Sequence, residues 1–156
     1  MKSSKLMSAF IVLISFLIMT GCGDDDKKIN NSGDPVPSEL VATWLFSSAT
    51  MNGVPISSYS EISNDDAAVT SSITFTANRT WSAVEYDQGQ NVVYTESGTF
   101  TINGNQMNVT TTLEDGTPVN ETYSATWAVA SNTFILTIQE TVDGVPMILI
   151  AVYTKS

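Results

Sequence analysis

The 156-residue chain has no histidine, a single cysteine and only six basic residues. Each scarcity removes a class of chemistry. Without histidine there is no imidazole base, no Ser-His-Asp triad and no histidine zinc site. The lone Cys22 allows neither an internal disulfide nor a dithiol redox pair. Six Lys and Arg against 16 Asp and Glu give a net charge of −10. That is the wrong sign for a phosphate backbone, so nucleic acid is not an expected partner. Long apolar runs are missing too. The most apolar stretch, Leu6 to Met19, has 14 residues, short of the about 20 that a membrane-spanning helix needs. No motif points to a cofactor, and none is expected.

What is present begins with Lys2 and Lys5 ahead of that run and Met19-Thr20-Gly21-Cys22 behind it. A basic flank, a short apolar core and small residues at the end mark a secretory signal peptide. The last four residues resemble the lipobox of bacterial lipoproteins, which usually has Leu where this chain has Met19. The resemblance implies cleavage after Gly21 and a diacylglyceryl group on the Cys22 thiol. Two or three acyl chains, such as palmitate, then anchor the chain far more durably than one. The expected location is the outer membrane of a Gram-negative bacterium, at the cell surface or on the periplasmic face. Residues 1–21 are thus read as signal peptide and 22–38 as an acidic flexible tether, because Gly23 to Pro37 has almost nothing to bury. Its acidic run just after the cysteine also resembles the surface-export signal of some Gram-negative lipoproteins. Loss of Lys2 and Lys5 leaves the mature chain at −12.

From residue 39 to 156 the chain reads as one all-β domain. Thr, Val, Ile, Tyr, Phe and Trp dominate, and helical periodicity is absent. Eight strands are predicted, at 40–48, 70–77, 80–87, 91–102, 105–113, 119–129, 133–142 and 145–154. Asn103-Gly104 and Asp143-Gly144 are type I′ hairpin signals. Asn78-Arg79, Gln88-Gly89, Glu114 to Pro118 and Ser131-Asn132 supply the remaining turns. Only the connection 49–69 is long. Strands joined this way close into an eight-stranded antiparallel up-and-down barrel, because closure removes exposed edges. A barrel of that size is filled by its own side chains or holds one small ligand.

Leu40-Val41-Ala42-Thr43-Trp44, Ile73-Thr74-Phe75, Arg79-Thr80-Trp81, Gly98 to Ile102 followed by Asn103-Gly104-Asn105, and Val152-Tyr153-Thr154 resemble the lipocalin-like domains of bacterial lipoproteins. One departure is Ala42, where lipocalins have Gly two residues before the first tryptophan. The resemblance implies the barrel and a ligand-binding open end more than any activity.

Alternation along the strands sharpens the reading. One face carries Trp81, Ala83 and Glu85, then Tyr94, Glu96, Gly98, Phe100 and Ile102. It continues through Met107, Val109 and Leu113, then Val119, Glu121, Tyr123, Ala125, Trp127 and Val129. Phe134, Leu136, Ile138 and Glu140 follow, and then Met147, Leu149, Ala151 and Tyr153. The other face is mostly Thr, Ser and Asn, so this one points inward. Ile135, Ile148, Ile150 and Val152 break the pattern: they form an outward contact surface, for a partner or a second copy, or the register fails there.

Seven of the domain's 12 acids fall in the upper loops and turns, whereas Arg79 and Lys155, its only bases, lie at the lower end with the tether. The expected function is therefore a non-catalytic binding cup, apolar below and acidic at the mouth, for a small apolar or amphipathic ligand. Trp81, Tyr94 and Tyr123 supply walls, and Glu96, Glu121 and Glu140 select a cationic group, since unpaired buried carboxylates are costly. If Thr111 lies between them, Glu96 and Glu121 sit about 10 Å apart, two strand spacings. The alternative is an interaction module whose acidic loops dock a basic protein. Asn64-Asp65-Asp66 with Glu114-Asp115 is a weaker calcium candidate, and Glu96 with Glu121 a weak glycosidase pair.

Overall fold

The computed structural model describes residues 33–142 and 144–156. The expected signal peptide, Cys22 and the tether as far as Ser32 lie outside the described residues. The strands are β1 (Ala42–Met51), β2 (Val54–Pro55), β3 (Thr70–Phe75), β4 (Thr80–Tyr86), β5 (Val92–Asn103), β6 (Gln106–Glu114), β7 (Thr117–Ala130), β8 (Thr133–Val142) and β9 (Val145–Lys155). From β3 to β9 each strand pairs antiparallel with the next. β1 pairs with β3 from Ala42 to Leu45 and with β9 from Trp44 to Met51. The sheet is thereby closed into the expected eight-stranded barrel, with β2 a two-residue addition at the top of β1.

The turns explain the registers. Asn52-Gly53 and Asp115-Gly116 both hold two successive positive φ angles, 51° and 79° then 45° and 76°, the pattern of a type I′ hairpin. Asn52-Gly53 folds β2 back on β1. At the next hairpin the expectation shifts by one residue. Asn103 pairs with Gln106, so the loop is Gly104-Asn105, and only Gly104 is at positive φ, 58°, as in a type II′ turn.

Interior residues follow the predicted alternation with one correction. Leu113, expected inside, is 41% exposed. The ladder between β5 and β6 shifts between Ser97 and Gly98, and that between β6 and β7 shifts between Thr111 and Leu113. A bulge of this kind reverses which face the following residues take, so Glu114 turns inward in Leu113's place. The register of β8 with β9 holds: Phe134, Leu136, Leu149 and Ala151 are buried, while Ile148 on the outer face is 38% exposed.

The lower half of the barrel is solid. Trp44, Phe75, Phe100, Phe134, Leu40 and Met107 are fully buried there. Phe134 packs on Trp44 at 5.5 Å, Phe75 at 5.4 Å and Tyr153 at 5.7 Å between ring centroids. Burying each such side chain contributes about 1.5–3 kcal/mol. Residues 33–38, the last stretch of the expected tether, are docked against this end. Arg79 donates to the carbonyls of Gly33 (2.8 Å) and Asp34 (3.1 Å). The Gly104 N–H donates to Asp34 Oδ2 at 2.8 Å.

The upper half is built differently. β1 meets β3 only along its first four residues, so its upper part needs another neighbour on that side. The connection 56–69 supplies it. Ile62 and Ala68 are buried, Ile62 in a second cluster with Ala49, Leu149 and Ala151. The Tyr59 ring meets Phe46 edge-on at 4.7 Å.

Candidate functional site

Between this connection and the upper ends of β5 to β9 lies a cavity of about 110 Å³. Met51, Ile62, Ile138, Met147 and Leu149 form its apolar wall, and Glu96, Glu114, Glu121 and Glu140 bring four carboxyls to it. Alternation along the strands places these groups. Glu140 pairs with Met147 across the β8–β9 ladder and Ile138 with Leu149, so the four lie on the inner face. Thr111, buried, pairs with Gly98 and with Glu121. The bulge sets Glu96 directly opposite Glu114 rather than beside Thr111. Directly opposed strand residues have Cα atoms about 5 Å apart, and like charges so placed repel.

The electrostatics follow from that packing. Burial, reinforced by the negative charges of Glu85, Glu114 and Glu121, pushes the Glu96 carboxyl up to about 8. Burial also raises Glu121, with help from Glu114, and it raises Glu140. The Tyr123 hydroxyl is raised by burial and then by Glu96. Glu85, only 4% exposed, sits on the inner face of β4. Its Oε1 accepts the Tyr59 hydroxyl at 3.0 Å and the Asn64 N–H at 3.4 Å. Its Oε2 is buried with no partner. Burial raises this carboxyl, while the Tyr59 hydrogen bond pulls the other way.

Of the residues proposed from the sequence, Glu96, Glu121, Tyr123 and Glu140 are brought together around the cavity. Trp81 lies lower, packed in the solid core with its Nε1 donating to the Thr110 carbonyl at 3.3 Å. Tyr94 pairs with Glu85 across β4 and β5 and is half-buried outside the cavity lining. The sequence offers Glu114 only as a turn residue and a weak calcium candidate, because the bulge that turns it into the cavity leaves no mark in strict alternation. Met51 and Ile62 were hidden in the long connection or at the strand end leading to it, and Asn64, part of the weak calcium candidate, lines the cavity. Among the described residues no group of three or more acidic or cysteine side chains is placed to hold a metal ion. Asp65, part of the calcium candidate, instead accepts the Ala67 N–H at 2.7 Å within its own turn.

Several acids of the upper loops are likewise tied locally. Glu61 accepts from the Ser57 hydroxyl and the N–H groups of Ser57 and Ser58, which lowers its carboxyl. Asp87 accepts from Asn91 and Gly89 and is lowered by them.

A family model for the lipocalin-like domain matches residues 40–136. No curated protein matches the chain. A solved structure of transferrin binding protein B from Haemophilus parasuis, a vaccine antigen carrying two substitutions, aligns at a TM-score of 0.40 and 12% identity. The alignment covers 73% of this chain and 25% of that one, so the chain spans about a quarter of that protein. So low a likeness supports no conclusion about this chain.

Proposed function

The chain belongs to the lipocalin-like domain family, and from that premise we propose that its barrel is a non-catalytic cup for a small apolar or amphipathic molecule. One observation carries the reading: the interior is solid below, yet leaves a cavity at the upper end where an apolar wall meets four carboxyls. A ligand's apolar body would lie against Met51, Ile138, Met147 and Leu149, with Tyr123 beside it. Glu96, Glu121 and Glu140 would select a cationic group. The signal-like N-terminus and Cys22 support attachment to the outer membrane through acyl chains.

Native mass spectrometry of the full chain purified from its own host tests the cup. The expected result is a retained small molecule that leaves on mild denaturation. A bare mass under conditions that hold known weak complexes together would count against it. The second reading, a module that docks a basic protein, is favoured by the acid-rich upper loops. In that case partner affinity would fall steeply with salt.

A further inference from the structure

The cup's carboxyls have no cation of their own. Among the described residues the only basic side chains are Arg79 and Lys155, and both are engaged at the lower end. Arg79 holds Gly33 and Asp34, and the Lys155 ammonium lies 5.8 Å from the centre of the Trp44 ring. Among the described residues, the titratable groups around Glu96 are all acidic or phenolic. Glu85 faces it from β4, Tyr94 from its own strand and Glu114 from β6. Glu121 and Tyr123 face it from β7, and Tyr153 from β9. Glu140 on β8 borders the same cavity. Above them, Tyr59 caps Glu85, and the charge of Asp65 reaches Glu85 as well.

Such a cluster cannot hold all its charges at low dielectric, and it relieves them either by binding protons or by binding a cation. Glu85 adds a further buried acid beside this cluster: Tyr59 and Asn64 donate to its Oε1, while its Oε2 is sealed inside the barrel with no hydrogen-bond partner. Resting on the cup reading above, we propose that the cup takes a short alkylamine by exchange, the ammonium group replacing a proton held on Glu96 beside Glu114 and Glu121. The alkyl chain lies against Met51, Met147 and Leu149, and the displaced proton leaves to solvent. No covalent bond forms. Glu96 is the principal proton holder, because it stands opposite Glu114 and is raised furthest among the cavity carboxyls. Ammonium binding therefore tightens by about tenfold for each pH unit gained below about 8, and levels off above it.

Isothermal titration of the full chain with hexylamine, and with hexan-1-ol as its uncharged counterpart, tests this from pH 6 to pH 9. Repeating each titration in buffers of different ionisation enthalpy counts the protons released. Hexylamine should bind more tightly than hexanol, release close to one proton at pH 7 and gain affinity up to about pH 8. Glu96→Gln should abolish most of the pH slope of hexylamine binding, and Glu114→Gln should shift that slope to lower pH. Equal, pH-independent binding of both probes would overturn the exchange but leave the apolar cup standing. Binding of neither probe would overturn the exchange and the cup together.

Discussion

Replacing Glu96 by Gln should stabilise the folded chain increasingly as pH rises. The sign follows from proton counting. At pH values well below 4.5 the carboxyl is protonated whether folded or unfolded, and it contributes nothing. Between 4.5 and about 8 the folded chain holds a proton that the unfolded chain has lost. Stability therefore falls with pH across that window, by up to about 1.4 kcal/mol per unit, and flattens above it. Taking Glu96 from its ordinary 4.5 to about 8, the wild-type loss between pH 5 and pH 8.5 is about 4 kcal/mol. Gln has the same shape and no titration, so the variant omits that loss. Urea unfolding of both proteins at the two pH values measures it. The gap between variant and wild type should widen in the variant's favour by about 2–4 kcal/mol from pH 5 to pH 8.5. A gap that stays constant would refute the claim that Glu96 is buried among uncompensated negative charges.

Other substitutions probe the scaffold and the anchor. A Cβ at Gly98 would stand 1.9 Å from the Thr110 carbonyl oxygen, so Gly98→Ala should cost about 3 kcal/mol or more in a denaturant melt. A normal melt would show that the β5–β6 bulge is not as tight as described. Arg79 sits at a φ of 62°, which Gly adopts without strain. Arg79→Gly should therefore leave the turn intact but free residues 33–38, seen as faster proteolysis there; unchanged cleavage would count against the clamp. Cys22→Ser should move the protein from the membrane to the soluble fraction and remove acyl mass, and continued membrane retention would contradict lipid anchoring there.

Most of the barrel was legible because each of its signals is local. Trp81, Phe100, Met107, Phe134 and Leu149 recur at alternate positions, and the turns between them carry Asn, Asp, Gly or Ser. The buried residues therefore fall where alternation puts them. Even the outward isoleucines, which cast doubt on the last two strands, sit in register. The misreadings come from places where the period of two is broken or backed by something distant. A bulge at Thr111 to Leu113 sent Leu113 out and Glu114 in, and no property of Leu or Glu announces it. Asn52-Gly53 is as strong a hairpin signal as any in the chain, yet β2 is only two residues long and has no alternation to flank the turn. The cavity was legible as chemistry, through Glu96, Glu121 and Glu140, but not as a boundary. Its roof comes from residues 56–69, whose place depends on β1 parting from β3 after Leu45.

The most direct test of the central claim uses two neighbours on β9 that face opposite ways. Met147 lines the cavity, whereas Ile148 is exposed on the outer face. Binding of the neutral fluorophore N-phenyl-1-naphthylamine would be titrated with wild type, Met147→Trp and Ile148→Trp, each checked for native circular dichroism. The account predicts bright, saturable binding to wild type and Ile148→Trp and its loss in Met147→Trp, whose indole fills the cup. Equal binding by all three folded proteins would place the dye elsewhere and contradict a ligand cup at the upper end of the barrel.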